Sequence, residues 1–181
     1  MIKKILTYYK IPLLISATVG ITVAALGVAR NAIDIVEIVV GVVFGTFLLD
    51  MEFILYPYLF EPKTDFAKSV FAYMKHKDYA GLIGFINEHK NEIEDKSLNS
   101  ALFQVILAPF SVFLVYSDAS YFVKAFVLSI FANSIYRLIE SYFEGTTKEW
   151  FWAIKGSPKK EGVLAFIIGM LLVLVFCLWM I

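Results

Sequence analysis

Apolar positions in this chain gather into long unbroken runs, with neither the alternation of half-buried strands nor the narrow stripe of soluble helices. A helix needs about 20 apolar residues to cross a bilayer, within a range near 17–25. Five stretches meet that length: about 11–29, 33–60, 99–117, 119–143 and 162–181. The pattern predicts an all-α fold, a polytopic helical membrane protein with about five transmembrane helices in one membrane domain over residues 1–181. The second stretch exceeds the requirement, so it should tilt or project beyond the bilayer. "ARNAI" and "YSDAS" are too short to let their flanking runs be anything but antiparallel neighbours. The basic N-terminus followed by an apolar run has the order of a signal peptide. Its apolar part, Ile11 to Ala29, is about 19 residues, against roughly 7–15 for a signal h-region, and reads as a retained span.

Between the second and third runs lies a polar insertion, 61–98, with a different period. "TDFAKSVFAYMK" and "DYAGLIGFINEHK" read as two short amphipathic helices around "HKD". Thr64 or Asp65 can cap the first, whose stripe is Phe66, Val70, Phe71 and Met74. Tyr79, Leu82, Ile83 and Ile86 make the second stripe, so an αα-hairpin against the bundle or the membrane surface is expected. "EWFWAIKG" sets Trp150 and Trp152 beside lysines, a pattern of interfacial anchoring.

Composition agrees with this picture. The 181 residues are 60% hydrophobic and 18% charged, where soluble domains hold about 45–50% and about 25%. Mean hydropathy is +0.75. Net charge is zero, but its distribution is not even. Lys3, Lys4, Lys10, Lys63, Lys68, Lys75, Lys77, Lys90, Lys96, Lys148, Lys155, Lys159 and Lys160 all fall on one side of a single alternating topology. The other side has Arg30, and Lys124 near a helix end. Lysine and arginine mark cytoplasmic loops, so the N-terminus and the insertion should be cytoplasmic and the C-terminus external, in an inner or plasma membrane. A lone Cys177 gives no disulfide framework, and Gly-rich phosphate loops, GxSxG and HExxH are absent. His76 and His89, even with Glu88, Glu92 and Glu94 nearby, lack the spacing of a metal site and read as a solvated face. No basic patch calls for nucleic acid.

One feature conflicts with a plain hydrophobic span. "TFLLDMEFILYPYLF" carries Asp50 and Glu52 inside the second run, and a charge at the bilayer centre costs on the order of 3 kcal/mol or more. The fourth run holds Ser129, Asn133, Arg137 and Glu140 or Glu144 along one face. The third begins with "LNSALFQ", which offers Asn99, Ser100 and Gln104. Arg137 and Asp50 come to depths within about 6 Å of each other at 1.5 Å per residue. Intramembrane charges face the bundle interior and pair, so Arg137 should meet Asp50 or Glu52. Residues two apart point about 200° apart on a helix. Either the helix is disturbed near "LLDMEF", with Pro57 permitting a break, or one carboxylate serves another partner. Gly41 and Gly45 form a GxxxG step on roughly the face of Glu52.

"LLDMEF", "LNSALFQ" and "FANSIYRLIES" together resemble, over residues 44 to 143, a bacterial inner-membrane family of metal-dependent hydrolases. That family carries Asp-x-Asp-His, then Thr-His-Ser, then His-x-x-x-Asp. Asp50 and Glu52 stand at the two aspartates, Phe53 at the His, Asn99-Ser100 at His-Ser, and Asn133 and Arg137 at the final His and Asp. Every expected His is replaced, and a cation stands where an anionic ligand belongs. A guanidinium there repels a divalent ion and satisfies the carboxylates in its place. The resemblance therefore implies a relative whose metal site became a structural ion-pair network.

The expected polar network is Asp50, Glu52, Asn99, Gln104, Asn133, Arg137 and Glu140, with no catalytic residue, metal or cofactor assigned. The leading expectation is a structural or accessory subunit with the bilayer as partner and a protein partner or second copy at the hairpin. The alternatives are a homo-oligomeric channel or transporter using the intramembrane carboxylates, and a membrane hydrolase with altered ligands.

Overall fold

The computed structural model describes residues 9–27, 31–59, 62–89, 97–153 and 158–181. Lys3, Lys4, Arg30, Lys90, Glu92, Glu94, Lys96 and Lys155, used above for topology or as candidate ligands, lie outside the described residues. The described chain is helical throughout its regular structure: α1 Lys10–Leu26, α2 Ala32–Leu59, α3 Asp65–Lys75, α4 Tyr79–His89, α5 Ala101–Tyr116, α6 Tyr121–Glu144, a 3₁₀ turn Thr147–Phe151, and α7 Lys160–Met180. Three of these, α2, α6 and α7, are long and apolar enough to cross a membrane, while α1 and α5 are shorter apolar helices of 17 and 16 residues.

Local chemistry sets the ends. Hydroxyls of Thr64, Ser100 and Ser120 accept the amides of Ala67, Phe103 and Val123, capping α3, α5 and α6. Of the two cap candidates for α3, Thr64 is the one used; Asp65 sits in the first turn and pairs with Lys68 at 2.7 Å. Gly145 ends α6 at φ 78°, a left-handed conformation that a Cβ would strain, and Thr146 returns its amide to the Ser141 carbonyl. Pro57 lies within α2 without ending it.

α6 is the axis of the bundle. It touches α1, α2, α5 and α7, and every residue from 127 to 135 is buried. A helix covered on all sides sits at a centre. The others alternate in direction around it. The Tyr121 hydroxyl at the start of α6 donates to the Gly27 carbonyl at the end of α1, and Ile181 ends α7 beside Gly27. Outward faces are apolar, with Ile33, Val36, Phe44, Phe113, Leu172 and Trp179 exposed, which suits hydrocarbon as solvent and not water.

The insertion forms the expected hairpin, packed on the end of α2 through Phe53, Phe66, Val70, Leu82 and Ile86. Its stripe differs in one place from the sequence reading. Tyr79 is exposed, and Phe85 takes its place, stacked near Phe66, Tyr73 and His89. Tyr79 is the first residue of α4, directly after the turn made by Lys77 at φ 56° and the Asp78 cap on Gly81, and it is left uncovered there. Trp150 also departs from the anchor reading. It is buried with Phe151 among Ala101, Leu138, Val163 and Ile167, because the 3₁₀ turn folds back under the bundle, leaving Trp152 exposed.

Candidate functional site: a two-layer polar core

Asp50 and Glu52, each more than nine-tenths buried, resolve their opposed directions by taking different partners. α2 is helical through both. Asp50 faces α6, where its Oδ1 accepts from Arg137 Nη2 at 2.6 Å. Glu52 faces the residues just before α5. Its Oε1 accepts the amides of Ser97 and, at 2.8 Å, Leu98; its Oε2 accepts the Asn99 amide at 3.1 Å and the Asn99 side chain at 2.8 Å. A carboxylate receiving three successive amides holds a backbone concavity that otherwise binds anions.

Asn99 joins the two halves. Its Oδ1 accepts from Arg137 Nη1 at 3.2 Å, and its Nδ2 donates to Glu52 and to the Leu49 carbonyl. The result is one chain, Asp50–Arg137–Asn99–Glu52, ending in main-chain amides. Three elements far apart in sequence meet there: α2, the entry to α5, and α6. Charge-assisted hydrogen bonds of this kind are about twice as strong as neutral ones.

A neutral layer lies one helical turn toward the opposite end. Ser16 of α1 hydrogen bonds Ser129 of α6 and Thr46 of α2, each at 2.6 Å, and accepts from Asn133 Nδ2 at 2.8 Å. Asn133 Nδ2 also reaches the Ser129 carbonyl, and the Thr46 and Ser129 hydroxyls both reach the Val42 carbonyl. Above it α2 and α6 close completely. A Cβ at Gly45 would stand 2.7 Å from the Phe126 carbonyl, and one at Gly41 2.6 Å from that of Phe122. The GxxxG step thus packs α2 on α6.

Of the remaining sequence candidates, Gln104 is fully buried and donates to Ser134 at 3.0 Å, while Glu140 is half-buried and accepts from the Tyr136 hydroxyl at 3.4 Å. Ser16, Thr46 and Ser134 were not singled out by sequence. Isolated hydroxyls are common in spanning helices, where they can bond their own backbone, and only their convergence gives them meaning here. His76 is exposed at the end of α3, and His89 bonds the Phe85 carbonyl at 2.9 Å.

The donor set does not fit a divalent metal. Among the described residues no three His, Cys, Asp or Glu side chains gather. Of the two buried carboxylates, Asp50 is bonded to a guanidinium and Glu52 is filled by amides. Buried atoms with no hydrogen-bond partner among the described residues are Asp50 Oδ2, Gln104 Oε1 and Asn133 Oδ1. Two of the three belong to amides, and the charged one lies beside Arg137.

The fold and this core define a helical bundle with three helices long and apolar enough to cross a membrane and a buried Asp50–Arg137 salt bridge. No family model, curated protein or solved structure matches the chain.

Proposed function

We propose that the protein is a five-span integral membrane protein whose polar core is structural and which serves as an accessory or interaction subunit. One observation carries this: the two carboxylates buried in the bundle are already engaged, Asp50 through Oδ1 by Arg137 and Glu52 through both oxygens by the amides of 97–99. Of the positions that resemble the hydrolase motifs, Asp50, Glu52, Asn99 and Arg137 converge on one network, while Phe53 packs under the hairpin, Ser100 caps α5 and Asn133 joins the neutral layer. That supports descent from a metal-binding bundle refilled with an ion pair. The channel reading is weaker, because Asp50 and Glu52 face the interior of the bundle and the Gly41–Gly45 seam packs α2 directly on α6 beyond the neutral layer.

The test is a stability cycle in detergent. Removing one partner of a buried pair costs about 3–5 kcal/mol, so Arg137→Leu should lower thermal stability sharply, and Arg137→Leu with Asp50→Leu should recover much of it. Stoichiometric metal in the purified protein, with a mild Arg137→Leu effect, would sink the structural reading.

We place the N-terminus and the hairpin in the cytoplasm on the lysine asymmetry. In intact cells of a Cys177→Ala background, Lys77→Cys should resist an impermeant thiol reagent and Asp118→Cys should react. The reverse result overturns the orientation. The exposed charges of the hairpin are the proposed contact surface. Lys63→Glu with Lys75→Glu should change the mass of the assembly in mild detergent while leaving thermal stability alone; unchanged association removes the hairpin from that role.

A further inference from the structure

We infer that the groove between the start of α2 and the start of α6 binds the headgroup of an ammonium-bearing phospholipid, with Glu37 as the recognising group. The inference rests on the membrane reading above. The groove, about 540 Å³, is walled by Ile33, Val36, Val40 and Phe122, with Glu37 and Ser120 as its polar groups. That volume lies within the range of about 300–1,000 Å³ typical of small-ligand sites.

Charge complementarity selects the occupant. Glu37 is half-buried, and its one hydrogen bond among the described residues is a long one, 3.3 Å from the Phe122 amide. No cation pairs with it among the described residues, in contrast to Asp50. A carboxylate on an otherwise apolar wall has most of its accepting capacity left for an ammonium group. An anionic headgroup would meet like charge there. The Ser120 hydroxyl accepts the Val123 amide at 3.5 Å and still has its proton to give to a phosphate oxygen. An acid beside a donor suits a zwitterionic headgroup.

Depth selects the same occupant. α2 has 28 residues, about 42 Å at 1.5 Å each. A hydrocarbon core of about 30 Å leaves roughly 6 Å of helix beyond it at each end. Glu37 lies five residues from Ala32, about 7.5 Å along the axis. That sets its Cα about 1.5 Å inside the hydrocarbon boundary. Its side chain, leaning toward the helix N-terminus, reaches toward the headgroup layer where lipid ammonium groups sit, with the acyl chain running down past Val36 and Val40 on the bilayer side.

The full-length protein in detergent is offered equimolar phosphatidylethanolamine and phosphatidylglycerol, and bound lipid is read by native mass spectrometry. Wild type should retain the ethanolamine lipid about fivefold over the glycerol lipid, the discrimination expected of one partly screened ion pair. Glu37→Gln should abolish the preference. Val40→Trp, which fills the groove and leaves Glu37 and its Phe122 contact in place, should lower retention of the ethanolamine lipid. Equal retention by wild type, or a preference that survives Glu37→Gln, overturns the proposal and leaves the membrane reading standing. A chain that stays in solution without detergent overturns both.

Discussion

The two polar layers of the core differ in what they hold together. The charged layer ties α2 and α6 to a stretch of irregular backbone, residues 97–99, through long side chains and a bridging amide. The neutral layer ties α1, α2 and α6 through hydroxyls so short that the helices must touch. In the first the ionised groups tolerate some separation but not the loss of a partner. In the second nothing is ionised, and close packing makes the bonds. The lesson is that a membrane bundle can be specified by either means, at very different cost of failure.

That contrast is open to measurement, and Arg137→Leu, at about 3–5 kcal/mol, is the largest expected effect. Next is Glu52→Gln. The substitution keeps one accepting oxygen but turns an NH₂ group toward the amides of 97–99, and leaving buried donors unmet costs about 1–3 kcal/mol. Its distinctive readout is local: hydrogen exchange at residues 97–100 should rise more than in the middle of α6. Uniform loosening would mean that Glu52 does not hold that loop. Smallest is Ser129→Ala, where interhelical hydrogen bonds in membranes average about 0.6 kcal/mol. A loss as large as that of Glu52→Gln would erase the distinction between the layers.

Sequence made the charged layer half legible. Carboxylates and an arginine in apolar runs stand out, and their depths match, so a pairing of Arg137 with Asp50 or Glu52 follows from spacing and the cost of burial, and the structure selects Asp50. Glu52 is another matter. Its partners are main-chain amides, which carry no residue signature, and sequence offered only the angular conflict that forbids Asp50 and Glu52 a common face. The neutral layer was less visible still. Ser16 sits alone in an apolar run, and its role depends on the close approach of three helices. Trp150 was misread for a related reason: a tryptophan near lysines has the same local pattern whether the turn carrying it folds inward or outward. Tyr79 differs because periodicity gives its angle on α4 but not that the helix's first residue is left uncovered. The five-helix bundle, its alternation and the hairpin required only run length and loop length, which sequence states directly.

The distance between partners along the chain has a consequence for biogenesis. Arg137 follows Asp50 by 87 residues, and at synthesis rates of about 5–20 residues per second it emerges roughly 4–17 s later. For that interval Asp50, deep in α2, has no counter-charge, whereas Glu52 meets its amides as soon as residues 97–99 follow. Insertion must therefore accommodate α2 beside water, in a protonated form, or within the insertion machinery until α6 arrives. The helix that supplies Arg137 is also the central one, so the bundle can close on this ion pair only after α6 has been made.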